Sequence, residues 1–198
     1  MSEHGTLATT LTSDHIRTVL ERNMQAVALR PSFGQGTATT RVSVREGARC
    51  EISEGQWRLV TDMAPKHGGN GSAPTPGTLG RAALGSCMAS AYVMWASHMG
   101  VPIHGLTVEI EADYDERGEL GIDSISPAYS EVRCVVTVET DAPERDVCEV
   151  LRVADEHCAH LQIFSQPVRV VRETWFALPQ AEAHDAGSPG PSDPSARG

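Results

Sequence analysis

The chain has 198 residues, and its 26 Asp and Glu outnumber its 16 Lys and Arg, which gives a formal net charge of −10 at pH 7. This length suits one globular domain with its own hydrophobic core. An acidic chain without a cluster of basic residues is a poor partner for nucleic acid or for anionic membranes. The first residues carry no apolar run typical of a signal peptide, and no segment is apolar enough to cross a bilayer. These features predict a soluble protein without a membrane partner.

The cysteine count bears on the compartment. The chain has five cysteines, an odd number, and no export signal. An odd number of cysteines without an export signal indicates a reducing compartment and argues against structural disulfides. The sequence therefore predicts a cytoplasmic protein whose thiols are reactive rather than structural.

The first half of the chain predicts one helix, three strands and a loop. Apolar residues at helical spacing predict a helix from Asp14 to about Leu29, behind a Ser13 cap. Strand patterns separated by Gly-containing turns then predict an antiparallel meander, with strands at 37–44, 49–52 and 56–61. The Gly- and Pro-rich stretch 63–76 predicts an irregular, mobile loop.

The second half opens with a helix predicted over 78–99. Small or apolar residues occupy nearly all of its faces, which predicts burial on every side. A further helix is predicted from Pro143 to about Cys158, with acidic residues in its first turn. Alternating apolar residues predict three more strands, at 106–114, 131–140 and 168–174.

This order of elements predicts an α+β fold with a mostly antiparallel sheet and a buried central helix. The N-terminal helical extension covers 1–36, and the domain itself covers 37–178. The remaining residues, 179–198, are rich in Ala, Gly, Ser and Pro and predict a disordered tail.

Cys87 and Cys158 are the residues most suited to chemistry. Cys87 lies within the central helix directly after the Gly-rich loop, and Cys158 lies near the end of the last helix. A lone cysteine on a buried helix is more often a small core residue than a reactive one. Two thiols on packed helices can form a disulfide if their Cα atoms come within about 4.4–6.8 Å. The sequence leaves that distance open.

The segment around Cys158 also allows a metal hypothesis. His157 and His160 flank this cysteine, and imidazole and thiolate are good zinc ligands. A structural zinc site needs four ligands, usually in two close pairs, and the chain has no second pair of suitable spacing. The sequence therefore predicts no metal and no cofactor.

Two segments carry a resemblance to a known family. The segment 77–87, Gly-Thr-Leu-Gly-Arg-Ala-Ala-Leu-Gly-Ser-Cys, follows a Gly-rich loop and resembles the central-helix signature of the OsmC/Ohr family of organic hydroperoxide reductases. Asp-Glu-His-Cys at 155–158, followed by Pro-Val-Arg-Val at 167–170, is similar to the second-cysteine helix and closing strand of that family. With the opening meander, the resemblance extends from about Thr37 to Trp175.

The resemblance implies an OsmC-like fold that forms an intertwined homodimer with active sites at the subunit interface. It also implies a thiol peroxidase that converts organic hydroperoxides to alcohols without metal or haem. Cys87 would be the peroxidatic cysteine and Cys158 the resolving cysteine, with a lipoyl- or thioredoxin-type dithiol as reductant. Arg45 resembles the family arginine that stabilises the thiolate, although Arg41 and Arg49 are close enough in sequence to leave the register open.

One position departs from the family pattern. Family members with well-defined peroxidase sites carry a glutamate after the loop proline, where it holds the arginine, and this chain has Gly77 after Pro76. An arginine without this anchor stabilises a thiolate less well. The alternative function is therefore a catalytically degenerate OsmC-like protein that binds an apolar ligand.

Overall fold

The structure is a computed structural model that describes residues 10–176. These residues fall into two units, one that ends at Pro167 and one that starts at Val168. All of the helices and strands found in the described part lie in the first unit, as α1 (Asp14–Leu29), β1 (Arg41–Glu46), β2 (Arg49–Glu54), β3 (Trp57–Thr61), α2 (Pro76–Met99), β4 (Gly105–Asp113), α3 (Glu116–Glu119), β5 (Glu131–Glu139), α4 (Glu144–Glu156) and α5 (Ala159–Ser165). Short 3-10 helices occupy Pro31–Gly34 and Pro65–His67. The tail predicted at 179–198 lies outside the described residues.

The strands form two antiparallel sheets. The predicted meander is confirmed as a three-stranded sheet in the order β1-β2-β3, and β4 pairs with β5 in a separate two-stranded sheet. The first strand begins at Arg41, later than the predicted residue 37, and the meander pairs Val42 with Ile52 and Ile52 with Leu59. The α+β prediction is confirmed, with two separate sheets in place of one.

α2 is the longest helix of the described chain and begins earlier than predicted. The Thr75 side chain caps it by accepting a hydrogen bond from the Thr78 amide, and Pro76 occupies its first turn. Gly100 ends it in the left-handed conformation, with φ of 71°. These local signals give a helix of 24 residues.

Only one face of α2 is buried in the single chain. Its buried apolar residues are four apart and form one stripe, Leu84, Met88, Tyr92 and Ala96. The opposite stripe is exposed and contains Ala82, Ser86, Ser90 and Met94. The prediction that this helix is buried on every side is therefore wrong for the single chain, because α1, α4, α5 and β4 together contact only part of its circumference.

The core lies between α2, α4 and the inner face of β4 and β5. Leu84, Met88 and Tyr92 pack with Ala154 of α4 and with Cys158, and alternate residues of the two strands pack against this cluster. Gly85 allows β4 to approach α2 closely, because a Cβ at this position would lie 3.2 Å from the Ile110 side chain. α1 packs on α2 from outside, and the Ser13 amide donates a hydrogen bond to the Ser97 hydroxyl.

The second unit has no helix or strand in its described residues, 168–176. The prediction of a strand at 168–174 is therefore wrong in this structure. Val168, Val170 and Val171 are between 61% and 88% exposed. The valine pattern favours a strand, but a strand also needs a neighbour that completes its backbone hydrogen bonds, and none of the described strands pairs with this segment. Within residues 10–176, no helix has the length and the apolar character needed to span a bilayer.

Candidate active site

Cys87 and Cys158 line the same cavity. Its volume is about 480 Å³, and its walls come from α2 and from the junction of α4 with α5. Cys87 is partly buried, whereas Cys158 is only 1% exposed and belongs to the core cluster. The structure thus brings together the two thiols whose distance the sequence leaves open.

The position of Cys158 differs from the prediction. α4 ends at Glu156, and Cys158 occupies the N-cap position of α5 without a side-chain cap hydrogen bond, whereas the sequence predicts one helix to about Cys158 and no element at 159–165. Cys158 itself has extended backbone angles, with φ of −82° and ψ of 106°. This break turns the chain so that the sulfur of Cys158 packs on the buried face of α2 near Met88.

The environment of Cys158 keeps its thiol protonated. Burial raises the pKa of Cys158, since the thiolate loses contact with water. The neighbouring Cys87 thiol raises this pKa further, and the backbone amides of Leu161 and His160 offset part of the increase. A protonated buried thiol is a weak nucleophile, so Cys158 is less suited than the more accessible Cys87 to attack first.

Apolar groups dominate the cavity wall. α2 contributes Ala83, Ala91, Met94 and Trp95 beside two serines. His157 and His160 complete the opposite wall, and no lysine or arginine is among the lining residues that the structure describes. The cavity is suited to an apolar molecule, and the two imidazoles are the only nitrogen bases among its described lining residues.

A part-buried hydrogen bond joins α4 to α2. The Tyr92 hydroxyl donates to the Asp155 carboxylate over 2.7 Å. Burial and this carboxylate raise the pKa of Tyr92, so the hydroxyl stays protonated. The pair holds the end of α4, and with it the turn that carries Cys158, in a fixed position.

A buried carboxylate binds the loop before α2. Asp62 is 1% exposed, and its Oδ2 accepts hydrogen bonds from the amides of Asn70 and Ser72 and from the Ser72 hydroxyl. The Ser72 and Asn70 bonds lower the pKa of Asp62. Gly69 is required where the loop folds back, because a Cβ there would lie 2.0 Å from the Met63 carbonyl oxygen.

The predicted thiolate cation stays a prediction. Arg45 belongs to β1, and its side chain lies outside the part of the chain that the structure describes. A different arginine faces the position of the missing glutamate. Arg81, one turn along α2, lies 3.5 Å from where a Cβ of residue 77 would stand and donates to the Tyr129 hydroxyl over 3.0 Å.

The other cysteines lie apart from this cavity. Burial raises the pKa of Cys134, which packs from β5 into the core. Cys148 is exposed on α4, and Cys50 lies on β2. Across residues 10–176, no group of three or more His, Cys, Asp or Glu side chains is placed to hold a metal ion.

Comparison with known proteins identifies the family. The family model for OsmC-like proteins matches residues 69–172, which is more than half of the chain, so the chain belongs to the OsmC-like family. The match includes Cys87, Cys158 and the helix that connects the loop to the core. The family prediction made from residues 77–87 and 155–170 is thereby confirmed.

Solved structures show the same fold. The chain is similar to an OsmC-like protein from Mycoplasma pneumoniae, with a TM-score of 0.58 and 13% identity over 66% of this chain and 89% of that one. It is also similar to a proposed osmotic stress induced and detoxification response protein from Psychrobacter arcticus, with a TM-score of 0.52 and 22% identity over 65% and 88% of the two chains. An OsmC-like protein of unknown function from Vibrio cholerae gives a TM-score of 0.51 and 12% identity, over 65% and 93%. A search of curated sequences finds no match.

Proposed function

We propose that this protein is a cysteine-based peroxidase that reduces organic hydroperoxides to alcohols. The observation that carries the proposal is the placement of Cys87 and Cys158 in the wall of one cavity. Cys87 is the peroxidatic residue because it is the more accessible of the two. Cys158 is the resolving residue because it lines the same cavity and its buried thiol is the weaker nucleophile.

The cycle has three steps. The Cys87 thiolate attacks the terminal peroxide oxygen, so that an S–O bond forms while the O–O bond breaks and the alkoxide leaves to become the alcohol. The sulfur of Cys158 then attacks the sulfenic acid of Cys87, forming the disulfide and releasing water. An external dithiol of the lipoyl or thioredoxin type restores both thiols by exchange and is itself oxidised. A reducing compartment such as the cytoplasm would supply this dithiol.

The cavity wall supports a preference for organic peroxides. Met94, Trp95 and the alanines of α2 offer apolar contacts to an alkyl or aryl group, and hydrogen peroxide has no such group. We therefore expect cumene hydroperoxide to oxidise Cys87 faster than hydrogen peroxide does. Equal rates in rapid mixing would contradict this preference.

We also propose that the protein is an intertwined homodimer. One face of the meander carries apolar side chains that are more than half exposed, namely Val42, Val44, Trp57 and Leu59. The exposed stripe of α2 borders the thiol cavity at Ser86, Ser90 and Met94. A second copy would cover both surfaces and could bring its Arg45 to the thiolate.

Two observations favour the binding alternative. The described wall of the cavity contains no lysine or arginine to stabilise a thiolate, and Gly77 replaces the family glutamate. In this case the cavity would hold an apolar ligand without turnover. Rapid oxidation of Cys87 by an organic hydroperoxide would exclude this function.

Mass spectrometry after one equivalent of cumene hydroperoxide tests the proposal. Trypsin cleaves after Lys and Arg, and each of the five cysteines lies on its own tryptic peptide, with Cys87 in 82–117 and Cys158 in 153–169. The expected product is a disulfide between these two peptides. Cys87→Ser should abolish it, and the matched control Cys148→Ser should retain it. Oxidation spread over exposed thiols, without this pair, would refute the peroxidase cycle.

A further inference from the structure

A further cavity lies at the start of α2, apart from the thiol cavity. Its volume is about 270 Å³, and neither Cys87 nor Cys158 is among the described residues that line it. The wall comes from the loop before α2, from the first turns of α2 and from the connection between β4 and β5. Pockets for drug-sized molecules usually measure about 300–1,000 Å³, so this cavity suits a smaller ligand.

Arg81 and Tyr129 leave hydrogen-bond donors without acceptors in the wall of this cavity. Nη1 of Arg81 donates to the Tyr129 hydroxyl over 3.0 Å, in a partly buried position. The hydroxyl accepts this bond, so its own proton stays available to a further acceptor. Among residues 10–176, neither side chain has another hydrogen bond or an ion pair. A guanidinium carries five N–H donors, so what this pair of side chains lacks is an acceptor oxygen.

Gly77 leaves space beside these donors. A Cβ at residue 77 would stand 3.5 Å from Arg81 Nη1 and 3.5 Å from the Tyr129 hydroxyl oxygen. Because glycine has no side chain to fill this position, atoms of a ligand can reach both donors. An oxygen atom beside a guanidinium is bound most strongly when it carries a negative charge. The missing acceptor is therefore best supplied by an anion.

The other charged groups in the wall favour an anion with a single charge. Glu116 already pairs with Lys66 over 3.0 Å and with His67 over 2.9 Å. Glu119 also lines the cavity and has no ion pair among the described residues. A dianion such as phosphate would be repelled by both carboxylates, whereas one negative charge is matched by Arg81. A carboxylate meets this requirement.

Apolar groups indicate the rest of the ligand. Met63, Pro76 and Tyr114 line the cavity together with the two donors. We propose that this cavity binds a small monocarboxylate with an aromatic or other apolar body, whose carboxylate accepts hydrogen bonds from Arg81 and from the Tyr129 hydroxyl. The site uses no thiol, so the inference goes beyond the proposed peroxidase and stands whether or not the cysteines react with peroxide.

Titration of the full chain with benzoate, followed by ligand-observed NMR, tests the proposal. We expect saturable binding with a dissociation constant of about 1 mM, as for other ligands of this size. Arg81→Met should weaken binding about tenfold and Tyr129→Phe about threefold. The matched control Arg145→Met removes the same charge from α4, where this side chain pairs with Asp146, and should stay within about twofold of the wild type. Absence of saturable binding, or equal binding by the wild type and Arg81→Met, would overturn the proposal.

Two other ligands test the charge of the bound group. Benzamide has the same ring without the negative charge and should bind about tenfold more weakly than benzoate. Inorganic phosphate at the same concentration should displace little of the benzoate. Equal affinity for benzamide and benzoate, or full displacement by phosphate, would overturn the assignment to a monocarboxylate.

Gly77→Glu keeps the proposal testable if Arg81→Met fails to fold. The new side chain would place its own carboxylate beside Arg81 and Tyr129, where the ligand carboxylate is expected. Benzoate binding should therefore fall about tenfold in this variant. Binding at the wild-type level in folded Gly77→Glu would overturn the proposal.

Discussion

Replacing Gly77 with glutamate tests how the start of α2 is built. Gly77 is the second residue of the helix, and a Cβ there would stand 3.5 Å from Arg81 Nη1 and 3.5 Å from the Tyr129 hydroxyl. These are ordinary contact distances, so the added side chain fits without displacing its neighbours. A glutamate at this position would direct its carboxylate towards Arg81.

Three effects stabilise the Gly77→Glu variant. Removing a helical glycine contributes about 0.5–1 kcal/mol. A negative charge in the first turn adds about 0.3–1 kcal/mol through the helix dipole. An ion pair with the partly exposed Arg81 adds about 0.2–1 kcal/mol. The free energy of unfolding should therefore rise by about 1–3 kcal/mol in total.

Urea denaturation at one fixed protein concentration measures this change, because the stability of the proposed dimer would depend on concentration. Gly77→Ala and Gly77→Gln should gain only the stabilisation that comes from removing a helical glycine. When Arg81 is replaced by Met, Gly77→Glu should no longer gain the free energy of the ion pair. The extra stability of the glutamate should also shrink in high salt. If Gly77→Glu were no more stable than Gly77→Gln, the charge-based reasoning would be refuted. Peroxide turnover of the same proteins then shows whether the glycine limits catalysis.

Other substitutions test the core, the loop and the thiol pair. Tyr92→Phe should cost about 1–2 kcal/mol in chemical denaturation, since the partly buried Asp155 carboxylate loses its donor; a loss below about 0.5 kcal/mol would contradict this. The lowered pKa of Asp62 means that its bonds to Ser72 stabilise the fold above pH 3.8 and are lost as the pH falls through the lower, folded value. Asp62→Asn should flatten the acid limb of the stability curve, and parallel curves would argue against the assignment. Cys87→Ser should abolish consumption of cumene hydroperoxide, and residual turnover near the wild-type rate would place the attack elsewhere.

Local signals predict the bounds of α1, the end of α2 and the meander. The Ser13 cap and the apolar spacing behind it place α1 at its observed bounds. The alternation of β4 and β5 predicts their inner faces, since Leu106 and Val108 pack on the core. These features depend on neighbours in sequence, so the sequence alone is enough.

Features that depend on distant partners are not predicted. The valines at 168–171 have strand propensity, but a strand also requires a neighbouring edge. The break between α4 and α5 has no Gly or Pro to mark it, and it decides the position of Cys158. The sequence predicts that the helix starts at residue 78, which leaves Gly77 outside α2. It therefore does not predict that Gly77 lies one helical turn before Arg81.

The candidate site was predictable by residue type but not by arrangement. The resemblance selects Cys87 and Cys158, yet their proximity results from the packing of α5 on α2. His160 lies two residues after Cys158 in the sequence, where the pattern suggests only a zinc ligand. The structure places it in the wall of the thiol cavity.

A disulfide between Cys87 and Cys158 would also affect the stability of the fold, because a long chain segment separates the two cysteines. A bond between Cys87 and Cys158 would close a covalent ring of about 70 residues that contains β4, β5 and α4. On the chain-entropy model a ring of this size stabilises the folded state by about 4 kcal/mol. Oxidation would thus link α2 covalently to the turn before α5, and each reduction would break this link. The thermal midpoint of the protein would then report its redox state directly.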